Sequence, residues 1–306
     1  MGNCETVGDE MNIGLIGCGY WGMKYIRVFQ ELNHKLSSVY DTNPQALENI
    51  KQLFPHLSTA SDYKNSDDEV VIIATPASTH YDIAKWCLEN DKHILIEKPM
   101  ALNVRDAIEL NELAKQKKKV LMIGHTFLYN PGIMHLDSLV NSNAVGVVKK
   151  IVMHRLNDGP VREDVSVIWD LASHDISILL ILLNKMPNSI SARYENKMII
   201  DLTFDAIKVK VHVSWSHHEK VREIVIQGSK NTLLFDDVQK TVNTPDNSGI
   251  IPYSGWQEPL LLQCKDFLDC LKNGNMPLAN GDNGVQVVKV LEAIQKALDT
   301  GEVVNL

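Results

Sequence analysis

Cysteine is scarce in this chain. The 306 residues hold five: Cys4, Cys18, Cys87, Cys264 and Cys270, scattered and without a Cys-x-x-Cys pair. That excludes a disulfide framework and a cysteine zinc site, and it points to a reduced, cytoplasmic setting. Long hydrophobic runs are also missing. The longest, Ile178–Leu183, is six residues, well short of the roughly 20 that span a bilayer. Basic excess is missing too: the net charge is −8. Nucleic-acid binders normally carry a basic face, so no nucleic-acid partner is expected. The one basic cluster, Lys115–Lys119, falls where a helix should end and complements its dipole.

The first ten residues are polar and acidic, which excludes a secretory signal. They read as a disordered leader, residues 1–10. The run from Met1 to Thr6 also fits an acylation pattern, with Gly2 as acceptor and Cys4 as a second site. The leader reading is preferred because an ordered pattern starts cleanly at Met11.

What is present is a 44% hydrophobic chain, enough for two ordinary cores. Apolar strand Ile13–Ile16 runs into Gly17-Cys18-Gly19-Tyr20-Trp21-Gly22 and then an amphipathic helix. Asp41 follows 19 residues after Gly22, at the end of the strand-like run Lys35–Tyr40. This is the layout of a dinucleotide-binding βαβ unit: one glycine for the turn, one for close approach of a pyrophosphate, one for helix packing. Helix-start amides, including those of Tyr20 and Trp21, would face the phosphates. An acid at Asp41 takes ribose hydroxyls and repels a 2′-phosphate, so NAD is expected over NADP. The competing reading is a tight turn with no ligand.

Alternation continues through strands Glu69–Ala74, His93–Ile96 and Val120–Ile123 and helices Thr79–Glu89 and Asn103–Gln116, the last capped by Asn103. Strands apolar on both faces, alternating with helices, give a doubly wound parallel sheet. Residues 11–124 therefore form a Rossmann domain. After helix Pro131–Asn141, strand Val147–Leu156 and helix Asp170–Leu183, strands follow one another: Ser189–Tyr194, Met198–Phe204, Ile207–Trp215, Arg222–Gln227 and Asn231–Phe235. Thr241–Tyr253 reads as loop, and helices Glu258–Leu271 and Gly284–Asp299 end the chain. Residues 125–306 are thus an α+β domain on a mostly antiparallel open sheet.

Ligands of an open parallel sheet sit beyond the carboxyl ends of its strands. Thr75, Pro76 and His80 fall there, as do Glu97, Lys98 and the segment from Gly124 to Thr126. Lys98 is the leading candidate for acid–base work, and Pro99 biases it to extended backbone. The alternative is a surface lysine that happens to end a strand. Asp170 and His174 lie four apart at a helix start and share a face. They can orient and move a hydroxyl proton, or be a capping aspartate and a core histidine. Asp170, His174 and Asp175 lack a third ligand on one face, and His217-His218 reads as turn, so no metal is expected.

Together, the Gly17–Gly22 turn, Glu97-Lys98-Pro99 and Asp170-x-x-x-His174 resemble the Gfo/Idh/MocA oxidoreductases from Met11 onward. The resemblance implies that Lys98, Asp170 and His174 meet at the nicotinamide, and that the open sheet makes a homodimer or homotetramer. Gly124–Pro131 and Arg155–Arg162 are similar to segments of UDP-N-acetylglucosamine 3-dehydrogenase-like members, although Ser173 stands where such sequences often carry proline. This implies hydride transfer at C3 of a nucleotide sugar. Asn130, Arg155, Asn157 and Arg162 then join the substrate set, the arginines pairing with a diphosphate or, alternatively, with surface acids. A free polyol such as inositol is the nearest alternative substrate. A non-catalytic NAD-sensing regulator is the alternative of another class.

Overall fold

The computed structural model describes residues 11–159, 161, 163–243, 250–251 and 256–306, with 250–251 as backbone alone. The leader and Arg162 lie outside the described residues. The first domain runs β1 (Ile13–Ile16), α1 (Tyr20–Glu31), β2 (Ser38–Tyr40), α2 (Pro44–Leu53), β3 (Ser58–Ala60) and β4 (Val70–Ile73). It continues with α3 (His80–Glu89), β5 (His93–Ile96), α4 (Val104–Lys117) and β6 (Leu121–Ile123). All six strands are parallel, in the order β3-β2-β1-β4-β5-β6. Residues of β1 and β4 are buried throughout, which is why these strands read as unbroken apolar runs rather than alternating ones. The strand order reverses between β1 and β4, and that reversal opens the crevice used for ligands in such sheets.

Caps set several helix starts. Asn103 Oδ1 accepts the Asp106 amide, as the sequence predicts, and Asn43 caps α2 ahead of Pro44. The basic end of α4 is taken up locally, Lys115 by Asp282 and Lys117 by Asp91. The short pieces α2 and β3 were not anticipated, because neither carries a long periodic signal.

The second domain begins with α5 (Pro131–Asn141) and β7 (Val148–Asp158), then α6 (Ser173–Leu183). Five strands follow: β8 (Ser189–Tyr194), β9 (Met198–Phe204), β10 (Ile207–Ser214), β11 (Ser216–Gly228) and β12 (Thr232–Asp236). Next come β13 (Thr241–Asn243), β14 (Ile250–Ile251), α7 (Pro259–Asn273), α8 (Gly281–Thr300) and β15 (Val304–Asn305). The nine strands are ordered β14-β13-β12-β11-β7-β10-β9-β8-β15, antiparallel except for the β7–β10 pair. β9 and β10 make the expected hairpin, with Asp205 at φ 53° in its two-residue turn.

Three expectations are corrected. Thr241–Tyr253 is not all loop, since it supplies β13 and β14 at the sheet edge. Strand β7 runs on through Asn157 and Asp158, past the expected end at Leu156. The run Asp170–Leu183 is not one α-helix: a π turn, Ile168–Ala172, precedes α6. That extra residue per turn changes how Asp170 and His174 are displayed.

The two domains share their packing. α8 lies against α4, α6 and β8, and α7 touches α1. Ile123 donates its amide to the Ala279 carbonyl, and the Val104 amide reaches Glu292. The C-terminal helices therefore return to the first domain and hold the walls of the crevice in place. Among the described residues, no helix is long and apolar enough to cross a membrane.

Candidate active site

The glycine turn follows β1, and its geometry is that of a phosphate cradle. Gly17 has φ +92°, and a Cβ there would come within 2.6 Å of the Ala74 carbonyl oxygen. A Cβ on Gly22 would overlap the Gly17 carbonyl, so only glycine lets α1 pack this closely on the turn. A Cβ on Gly19, by contrast, would project into open space, the side from which a pyrophosphate would approach. Asp41 closes the cradle from β2. Its Oδ2 accepts the Cys18 amide at 2.8 Å and its Oδ1 accepts the Asn43 amide. Burial pushes the Cys18 thiol up to about 12, so it stays protonated.

His80 ties the neighbouring strand ends. Nδ1 lies 2.7 Å from the Pro99 carbonyl and Nε2 lies 2.9 Å from the Thr75 carbonyl. Thr75 and Pro76 are placed by this clamp at the end of β4. Glu97 is buried at the end of β5 and accepts the Tyr25 hydroxyl at 2.6 Å.

A cavity of about 400 Å³ opens beside this turn. Tyr20, Trp21 and Lys24 form its wall toward the cradle, and Glu97, Lys98 and Gly124 its floor. His174, Phe127, Lys220 and Arg222 face them from the second domain, with Glu258 at the α7 edge. Lys98 crosses the domain junction. Its Nζ donates to the Asp170 carbonyl and to Asp170 Oδ1, each at 2.8 Å. Asp170 Oδ2 is held in turn by the Trp215 indole N–H at 2.9 Å. An ammonium has three donors, so one N–H of Lys98 is left for a ligand in the cavity.

His174 stands against the Phe127 ring, with centroids 4.8 Å apart. Its Nδ1 is buried without a partner. Burial, reinforced by Lys98 and Arg155, holds its proton affinity well below the ordinary histidine range, so the ring is neutral at physiological pH. His125 lies fully buried nearby, neither nitrogen partnered. Burial and then Lys98 hold it at about 3.

Of the sequence candidates, then, Lys98, Asp170 and His174 converge, and Tyr20, Trp21 and Glu97 line the cavity with Lys98 and His174. Gly17, Gly19, Gly22, Asp41, Thr75, Pro76 and His80 belong to the glycine turn and the adjoining strand ends rather than to the cavity lining. Asn130, Arg155 and Asn157 are also outside that lining. Asn130 is a buried cap: its Oδ1 accepts the Gly132 amide and its Nδ2 donates to Asp237. Arg155 faces inward from β7 and forms a two-pronged pair with Asp175, at 3.0 and 3.1 Å. Its Nε and Nη2 are taken by that acid, its Nη1 is buried without a partner, and Arg155 does not line the 400 Å³ cavity. Asn157 lies at the end of β7, outside the cavity lining. Arg222, Lys220 and Trp215 escaped the sequence reading. A signal existed for the first: Arg222 shares the inward face of β11 with Ile224 and Ile226, a charge where the alternation calls for an apolar residue. Among the described residues no cluster of histidine, cysteine or acids could hold a metal ion.

Residues 11–125 match the model of the Gfo/Idh/MocA oxidoreductase family, NAD-binding Rossmann fold. The first domain is thus similar to the NAD-binding domain of that family. That family's fold is described as NAD-binding, and the open space beside Gly19 is compatible with a bound dinucleotide. The chain is 30% identical over 185 residues to UDP-N-acetylglucosamine 3-dehydrogenase of Acidithiobacillus ferrooxidans, covering 60% of this chain and 58% of that protein. It is 30% identical over 187 residues to 1-carboxy-3-chloro-3,4-dihydroxycyclohexa-1,5-diene dehydrogenase of Comamonas testosteroni, covering 56% and 47%. The match thus spans about half the length of these curated relatives. A solved oxidoreductase from Agrobacterium radiobacter, in complex with NAD+, L-tartaric acid and magnesium, shares the fold at TM-score 0.88 and 17% identity, covering 97% of this chain and 98% of that one.

Proposed function

We propose that this chain is an NAD-dependent dehydrogenase acting on a secondary alcohol carbon of a sugar. The observation that carries the reading is the Lys98–Asp170 contact across the domain junction, in a cavity shared with His174 and flanked by the glycine cradle. Bound NAD would supply the hydride acceptor, held by Gly17, Gly19 and Gly22, with Asp41 toward the adenosine ribose.

The chain's own residues divide the remaining work. His174 is neutral and faces the cavity, so it accepts the hydroxyl proton. Lys98 keeps one N–H for the substrate oxygen and stabilises the negative charge that develops there. Asp170 holds the ammonium by two bonds and fixes its direction. The products are a keto sugar, a reduced cofactor and a proton. Trp21 and Phe127 screen the cavity walls from water.

The finer reading is a nucleotide sugar oxidised at C3, the activity named for the Acidithiobacillus relative. A free polyol is the competing substrate. The test is reduction of NAD, followed by absorbance, with UDP-N-acetylglucosamine, N-acetylglucosamine, glucose and inositol. Turnover with any of them, lost in Lys98→Ala and His174→Ala while NAD still binds, supports the reading. Full turnover in both variants overturns it. NAD binding with no reduction across a broad sugar and polyol panel would favour a regulator instead.

A further inference from the structure

Arg222 is unusual among the cations of this protein. It projects from the inward face of β11 into the cavity, yet nothing there fully satisfies it. Among the described residues its ion pair is with Asp237, at a loose 3.6 Å. Its Nε is buried without a partner. Its register neighbour on β7 is Arg155, and the two guanidinium groups lie 5.5 and 4.2 Å from the Phe127 ring centroid. Burial and Arg155 both weigh against its charge. Arg155 is held by Asp175 at 3.0 Å, whereas among the described residues Arg222 reaches only Asp237, at 3.6 Å. Lys220, two residues away on the same strand face, lines the same cavity and has no ion-pair partner among the described residues.

The carboxylates on the cavity wall do not meet this need. Glu97 is bonded to Tyr25, and Glu258 is paired with Arg27 at 2.6 Å. Lys98 is matched by Asp170. Among the described residues, the second-domain wall therefore presents one loosely paired guanidinium and one ammonium without an ion-pair partner to whatever enters. A half-buried, under-bonded guanidinium is costly to keep unless a ligand supplies the missing acceptors.

We infer that Arg222 and Lys220 form an anion subsite that selects substrates carrying a phosphate, diphosphate or carboxylate group over neutral sugars. The inference rests on the proposed dehydrogenase reading and deepens it: the anionic group seats on β11 while the reacting hydroxyl lies at Lys98 and His174. Arg222 supplies a fork suited to two oxygens of one group, and Lys220 a point charge at the mouth. The role thus falls to β11, not to Arg155.

The test measures binding, so that it does not depend on turnover. Melting temperature is recorded with saturating NAD and each of four probes: UDP-N-acetylglucosamine, glucose 6-phosphate, glucuronate and neutral N-acetylglucosamine. The expected result is stabilisation by at least one anionic probe and little by the neutral sugar. Arg222→Gln should weaken the anionic probe about 10- to 100-fold, the size of one or two charge-assisted hydrogen bonds, and leave the NAD-induced shift intact. Arg222→Lys should recover part of the loss. Lys220→Gln, an exposed and foldable change, should weaken the same probe less and reduce its salt dependence. Lys64→Gln, remote in the first domain, should do nothing. Which anionic probe responds identifies the group. Equal response to neutral and anionic probes, no response to any anionic probe, or unchanged affinity in both β11 variants overturns the inference. Anionic binding lost in Arg222→Gln but with no NAD reduction by any sugar leaves the subsite standing and removes the dehydrogenase reading.

Discussion

Replacing Lys98 by methionine separates catalysis from stability at one atom. Methionine keeps the apolar stem and removes the ammonium. Two hydrogen bonds to Asp170, both at 2.8 Å, are lost with it. Asp170 is then a nearly buried carboxylate, 14% exposed, with Trp215 still bound to Oδ2. Breaking one side of a buried pair costs about 3–5 kcal/mol because a charge is stranded. The surviving indole bond and the residual exposure put this case lower, at about 2–3 kcal/mol. For a domain of this size that is a fall in melting temperature of roughly 4–8 °C. Turnover should fall roughly 10²- to 10⁴-fold, the scale of a lost acid–base or oxyanion-stabilising group. The double variant Lys98→Met/Asp170→Asn removes the stranded charge while still accepting from Trp215. It should recover most of the stability and none of the turnover. Urea unfolding and the absorbance assay are run on the same preparations. A single variant as stable as the parent, or a double variant that regains turnover, would show that the pair does not work as reasoned.

Three further outcomes are expected. Trp215→Phe deletes the donor to Asp170 Oδ2, leaving the carboxylate free to turn. The rate constant kcat should drop about tenfold with KM little changed, a loss of one oriented hydrogen bond felt only in the transition state. An altered KM at constant kcat would contradict this. Gly17→Ala forces a side chain into φ +92° and against the Ala74 carbonyl. It should weaken NAD more than tenfold by calorimetry, since left-handed backbone alone costs about 1–2 kcal/mol. Unchanged NAD affinity would mean the turn is not the cradle. Stability should also fall with acid. His125 and His174 bind protons more weakly folded than unfolded, so the unfolded chain takes up more protons as pH drops through 6.5. Between pH 7.5 and 5.5 each should cost about 1.4 kcal/mol. His125→Phe should flatten that slope in urea titrations, whereas an unchanged slope would place the titration elsewhere.

The elements legible in the sequence were those whose signal is local. β5 and α5 match their expected bounds to the residue, and Asn103 caps α4 as read. The Gly17–Gly22 turn was legible because backbone sterics restrict what can occupy it. Lys98 could be suspected because strand β5 ends there and the next residue is proline. The π turn at Ile168–Ala172 could not be read, since no residue type in it marks a wider turn. The Arg155–Asp175 pair could not be read, because the two lie 20 residues apart on different elements.

The sequence alone determined the periodic elements, the glycine turn and the list of groups able to move a proton. These depend on chain sterics and on spacing along a few residues. Only the tertiary structure decided which charges cancel. Asp175, 20 residues along from Arg155, absorbs that guanidinium, and Asp170 meets Lys98 across 72 residues. The looser pairing of Arg222, with Asp237 at 3.6 Å and Arg155 as its register neighbour, is set by the register of β11 on β7. Coulomb pairing acts through space and strengthens with burial, so no count of residues along the chain could have assigned it.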